Sequence, residues 1–116
     1  MGKVQGNTTQ EVKDFSPLAG GWDSRNSEKT IERKLREACK AEGGMCIKLL
    51  TDQYTGLPDR LCLFPVGRVA FVETKSKGEK PRKIQGIVHQ RLRDLGFDVR
   101  VMDRIEDIEK LIHDVD

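Results

Sequence analysis

The sequence predicts an α/β domain: a mixed four-stranded sheet flanked by helices. Three observations carry this. Apolar residues recur with helical spacing in three separate stretches. Short apolar runs of strand length lie between them, punctuated by glycine and proline. The resulting order is helix, three strands, helix, strand, helix. Three consecutive strands followed by a helical crossover to a fourth give a mixed sheet with helices packed on it. At 116 residues the chain can build one core.

Residues 1–26 are polar and glycine-rich without a period, and read as an N-terminal arm that docks locally through Trp22; Phe15 and Leu18 are its other large apolar residues. Residues 27–116 read as a single domain. Asn26 or Ser27 caps a helix running to about Glu42, in which Ile31, Leu35, Ala38 and Cys39 share a face. Gly43-Gly44 ends it. Met45 to Leu50 reads as a strand, and Thr51 to Leu57 as a polar loop. Strands near 60–64 and 68–75 form a hairpin, with Pro65-Val66-Gly67-Arg68 supplying the turn chemistry. Pro81 suits the first turn of a second helix, predicted to bury Ile84, Ile87, Val88 and Leu92 before Gly96 stops it. Residues 97–102 alternate as a strand, and Ile105, Ile108, Leu111 and Ile112 mark a last amphipathic helix.

The net charge of +2 conceals an uneven distribution. From Thr74 to Arg93 there are seven Lys or Arg against one acid, Glu79; from Met102 to Asp116 there are six acids against two bases. The basic stretch suits a polyanionic partner. No apolar run approaches the roughly 20 residues needed to span a bilayer, so no membrane role is expected. Cys39, Cys46 and Cys62 are odd in number and lack metal-ligand spacing, so buried free thiols are expected. A soluble protein of a reducing cytoplasm fits.

The chemistry concentrates in Pro58-Asp59 and Glu73-Thr74-Lys75. Two acids fourteen positions apart, the second followed by x-Lys, suit a metal-dependent phosphodiesterase. Side chains alternate along a strand, so Glu73 and Lys75 point one way and Thr74 the other. Asp59, at the entry of the neighbouring strand, can reach the same spot. In a chain that is 34% charged, an isolated E-T-K carries little information. Here the triplet ends the apolar run Val69–Val72, and Asp59 precedes the run Leu61–Phe64. Gly56 tolerates positive φ, and Pro58 needs no hydrogen-bond acceptor for its nitrogen, so together they would deliver Asp59 at a fixed angle.

The segments G-L-P-D-R-L (56–61) and G-R-V-A-F-V-E-T-K (67–75), then Gln85, then L-x-x-L-G-F-x-V (92–99) resemble the VRR-NUC domain of the PD-(D/E)xK nuclease superfamily, in particular its small stand-alone phage-type members. The resemblance covers residues 28 to about 112. It implies a restriction-endonuclease-like αβββαβ core with an extra C-terminal helix. It further implies a homodimer that cuts branched DNA, four-way (Holliday) junctions included, with Mg²⁺ or Mn²⁺, in the cytoplasm of a bacterial or phage-infected host cell.

Carried over residue by residue, the resemblance makes Asp59, Glu73 and the Thr74 backbone carbonyl metal ligands. This is an all-oxygen set that suits a hard cation. Lys75 would sit beside the attacking water. A glutamate from the first helix would complete the site, Glu32 directly or through a water, with Glu28 as the alternative. Each also has a purely local role open to it: Glu28 can complement the helix dipole, and Glu32 can pair with Arg36. Gln85 matches a glutamine beside the catalytic lysine. Lys77, Lys80, Arg82 and Lys83 would contact DNA phosphates. His89, one turn after Gln85, either faces the same groove or is a surface histidine; the second is expected. Gln53 and Tyr54 lie in the loop before Gly56, where they could reach DNA.

The sequence thus reads as a metal-dependent, structure-specific DNA endonuclease. A flap, nicking or less selective nuclease is the alternative within that class. A non-catalytic nucleic-acid-binding module is the alternative outside it, although it would be expected to lack one of Asp59, Glu73 and Lys75. A protein-interaction domain would have only the acidic last helix in its favour.

Overall fold

The computed structural model describes residues 24–50 and 52–115. Trp22 and the arm up to residue 23 lie outside them. The chain enters through a short 3₁₀ turn, Ser24–Asn26. Asn26 is buried; its side-chain oxygen accepts from the Ile105 N–H (2.8 Å) and its carbonyl from the Lys77 N–H (3.1 Å). The segment just before the first helix is therefore stitched to two later loops.

Helix α1 spans Glu28–Ala41. Ser27 is its N-cap, its hydroxyl accepting from the Thr30 N–H at 3.2 Å, which satisfies one of the free donors of the first turn. Ile31, Leu35 and Cys39 form its buried stripe. Gly43, at φ 81°, leaves the helix in the left-handed region, and the Gly44 N–H closes back on the Cys39 carbonyl.

Strands β1 (Met45–Lys48), β2 (Arg60–Phe64), β3 (Arg68–Thr74) and β4 (Asp98–Met102) form one sheet in the order β1-β2-β3-β4. The first two pairings are antiparallel, and β3–β4 is parallel, reached through helix α2 (Lys83–Asp94). Helix α3 (Glu106–Val115) follows. The predicted order and the mixed sheet are found as expected. Boundaries differ by one or two residues: β1 stops at Lys48 rather than Leu50, β3 at Thr74 rather than Lys75, β4 starts at Asp98 rather than Phe97, and α2 starts at Lys83, after Pro81 rather than on it. Among the described residues no helix is long and apolar enough to cross a membrane.

The two faces of the sheet are packed differently. Toward α1 and α3 lies the apolar core: Ile31, Leu35 and Cys39 against Cys62, Phe64, Ala70, Val72 and Met102, closed by Ile108 and Leu111. The alternation along β3 puts Ala70, Val72 and Thr74 on that side and Phe71, Glu73 and Lys75 on the other. Helix α2 covers the second face, and its buried residues are Gln85, Val88 and His89. Two expectations are corrected here. Ile84 and Ile87 are exposed (41% and 52%), and His89 is buried (1% exposed) rather than superficial. Helical spacing alone marks two overlapping stripes on α2. Contact with the polar end of β3 selects the one carrying Gln85 and His89.

Candidate active site

Asp59 is delivered by Gly56-Leu57-Pro58. Gly56 has φ 96°, and a β-carbon there would lie 2.7 Å from a Val88 methyl and 2.9 Å from the Ile84 carbonyl oxygen. Glycine is thus required both by the turn and by the approach of α2. Pro58 is fully buried. The Asp59 carbonyl accepts from the Leu49 N–H at 2.8 Å, extending the β1–β2 ladder. Its carboxylate accepts from the Thr74 N–H (3.2 Å) and the Thr74 hydroxyl (3.0 Å). Arg60 pairs with Val72 across β2–β3; one step further, that register sets Asp59 opposite Glu73.

Glu73 is 4% exposed. Its Oε2 accepts from Gln85 Nε2 at 2.9 Å and lies 3.3 Å from Lys75 Nζ, the neighbour on the same strand face. The Gln85 Oε1 in turn accepts from the Arg82 N–H at 2.9 Å, so one side chain caps α2 and holds the glutamate. Oε1 of Glu73 is buried without a hydrogen-bond partner. A buried carboxylate oxygen left unpaired is costly unless a water or an ion satisfies it.

Helix α1 supplies two more carboxylates. Oxygens of Glu28, Glu32 and Asp59 all lie within 4.8 Å of one another. Both glutamates considered for the site therefore stand beside Asp59. Glu32 is paired at 3.5 Å with Arg60, not with Arg36. Three acids converge in a partly dry space, with Glu73 set beside Asp59 across the strand pair, and the consequences appear in their titration. Burial pushes Asp59 up, against the Thr74 hydrogen bonds and with help from Glu32. Burial and then Asp59 push Glu73 up, opposed by Lys75 and Gln85. Burial, Asp59 and Glu32 push Glu28 up. Such crowding of like charge, with oxygen donors only and one of them orphaned, fits a divalent hard cation.

Lys77, Lys80, Arg82 and Lys83 are exposed along the β3–α2 loop and the start of α2, immediately after Lys75. Sequence reasoning gave Arg60 no role and expected His89 at the surface. Arg60 lies on the α1-facing side of β2 and neutralises Glu32; its position next to Asp59 was the available signal. His89 is packed under α2 with Nε2 unpartnered, and burial, with Arg93 and Lys75 beside it, holds it below its ordinary range. Its spacing from Gln85 was the signal.

An αβββαβ core with a P-D turn at the second strand and E-x-K closing the third defines the restriction-endonuclease-like class. Comparison with known proteins narrows this. No protein-family model matches the chain. It is 41% identical over 76 residues to "Putative nuclease p44" of Acyrthosiphon pisum secondary endosymbiont phage 1, covering 66% of this chain and 82% of the phage protein. A solved structure described as a VRR_NUC domain superposes with a TM-score of 0.69 at 33% identity, over 74% of this chain and 94% of its own. The chain belongs to the VRR-NUC family of nucleases and is of the small phage type.

Proposed function

We propose that the protein is a metal-dependent DNA endonuclease that cleaves branched DNA, four-way junctions included, as a homodimer with Mg²⁺ or Mn²⁺. The observation that carries the reading is Glu73: buried, held by Gln85 and Lys75, one oxygen unpartnered, and set opposite Asp59. Asp59, Glu73 and the Thr74 carbonyl would hold the cation, with Glu32 or Glu28 joining directly or through a water. When bound, the cation supplies Lewis-acid polarisation of the phosphodiester and an activated water.

The chain's own residues do the rest. Thr74 fixes the Asp59 carboxylate through two hydrogen bonds, so its lone pairs face one direction. Gln85 holds Glu73 through one hydrogen bond, to Oε2. Lys75 would orient the attacking water and offset charge building on the phosphate. Lys77, Lys80, Arg82 and Lys83 would grip the strand backbone, a salt-sensitive and sequence-independent task. A single small site cuts one strand at a time, so paired incision across a two-fold junction calls for two copies. The outward apolar residues Ile84, Ile87 and Leu95 of α2 and its C-terminal end support a second-copy surface.

Incubation with matched four-way junction, flap and linear duplexes, with Mg²⁺, Mn²⁺ or EDTA, tests the reading. Junction cleavage that requires metal and disappears in Glu73→Ala, with binding kept, is the expected result. Tight binding with no cleavage of any substrate would favour the non-catalytic module, and preferential flap cutting the less selective nuclease. Sedimentation tests the dimer: a strict monomer that still makes paired cuts would overturn it.

A further inference from the structure

The three cysteines come from three separate elements, yet they meet. Cys39 lies on α1, Cys46 on β1 and Cys62 on β2, where Cys46 and Cys62 are direct cross-strand partners. Their Sγ atoms all lie within 4.8 Å of one another, and all three are free thiols. Cys39 and Cys62 are fully buried and Cys46 is half-buried, so the cluster reaches solvent on one side only.

Three metal–sulfur bonds of about 2.3 Å around one ion put the sulfurs roughly 4 Å apart, a spacing this cluster can take with small side-chain adjustment. The ligand is the thiolate. Arg36 and Arg60 act electrostatically on Cys46, and their charge would offset the negative charge of a three-thiolate complex. Among the described residues no fourth Cys, His, Asp or Glu joins the group. A trigonal ion, or a tetrahedral one completed by water on the Cys46 side, would therefore fit. Thiolates select soft ions and carboxylates hard ones, so this cluster and the Asp59 group would not compete for the same metal.

We propose that Cys39, Cys46 and Cys62 form a second metal site, distinct from the carboxylates, that takes one thiophilic ion, Zn²⁺ or Cu⁺. Thiols protonated beforehand release their protons to solvent as the metal–sulfur bonds form. The ion would tie α1 to β1 and β2 on the apolar side of the sheet.

The test is to titrate the reduced protein anaerobically with Zn²⁺ and, in a separate arm, Cu⁺, each against a chromophoric chelator. Thiolate-to-metal charge-transfer absorption and alkylation of Cys46 are followed. One equivalent bound in either arm, with the absorption band and protection of Cys46, is expected; the arms tell which ion is held. Cys46→Ser, the variant that disturbs the core least, should weaken binding by at least about tenfold, the lower end of what loss of even an outer-sphere partner costs. Glu73→Ala should leave it unchanged, which separates this site from the proposed nuclease centre. The proposal is overturned if neither ion gives the band, if Cys46 alkylates equally fast with metal, or if binding survives Cys46→Ser but not Glu73→Ala.

Discussion

The two faces of the sheet are built on opposite terms. The face toward α1 and α3 is apolar at its centre, with Leu35, Val72, Met102 and Leu111 fully buried. The face toward α2 buries Glu73, Gln85 and His89, with Val88 and Val99 as its buried apolar residues. Apolar burial is the main favourable term in folding, whereas a buried carboxylate raises the energy of the folded state until something neutralises it. The first face therefore supplies the stability that the second face consumes, and β3 belongs to both by alternation.

The sharpest way to break this contrast is to remove one residue from each face. Glu73→Ala should lower metal-dependent cleavage by at least about a hundredfold, more than loss of an outer-sphere partner costs, with far-UV circular dichroism unchanged. Leu35→Ala should instead cost ~2–5 kcal/mol of unfolding free energy in urea, leaving residual activity in proportion to the folded fraction. A Glu73→Ala protein that cuts normally would mean that the α2 face is not the active face.

Next in size is metal binding. Mg²⁺ or Mn²⁺ at a hundredfold its dissociation constant should stabilise the parent by about 2.7 kcal/mol and Glu73→Ala by much less, read as shifts in melting temperature. Equal shifts would place the ion elsewhere.

The pH dependence sharpens the contrast further. The folded pKa of Glu73 is raised, so its contribution favours folding at low pH and is lost as pH rises through that value. Glu73→Gln should accordingly stabilise the metal-free protein at neutral pH, and the gain should vanish as pH falls through the raised pKa. His89 shifts the other way: its pKa is lowered, so its contribution is present above the ordinary histidine range and declines below it. Comparing parent with Glu73→Gln at each pH removes the His89 effect. A gain that grows on acidification would refute the assignment.

The smallest effect lies away from both faces. Val66, fully exposed at the β2–β3 turn, has φ 66°, a conformation unfavourable for a β-branched residue. Val66→Asn should stabilise by about 1 kcal/mol in thermal unfolding, with cleavage unaffected.

Much of the molecule was legible in one dimension. The apolar stripe of α1, the Gly43-Gly44 stop, the hairpin and the crossover were readable because each rests on local periodicity or turn chemistry. Asp59, Glu73 and Lys75 were readable because strand alternation and a short hairpin leave little freedom in where three such residues can point. Helix α2 was misjudged. Ile84 and Ile87 offered the stronger apolar pattern, yet its buried stripe includes Gln85 and His89.

By itself, then, the sequence determined the order of elements, the family and the placing of Asp59, Glu73 and Lys75 together, since these depend on residues close in the chain or on fixed strand geometry. Tertiary structure alone decided that Glu28 and Glu32 both stand beside Asp59, that Arg60 takes Glu32, that His89 is enclosed, and that Cys39, Cys46 and Cys62 converge. Each of these depends on how a helix is rotated and seated against the sheet. That rotation is set by the summed packing of the whole core, which no local spacing encodes.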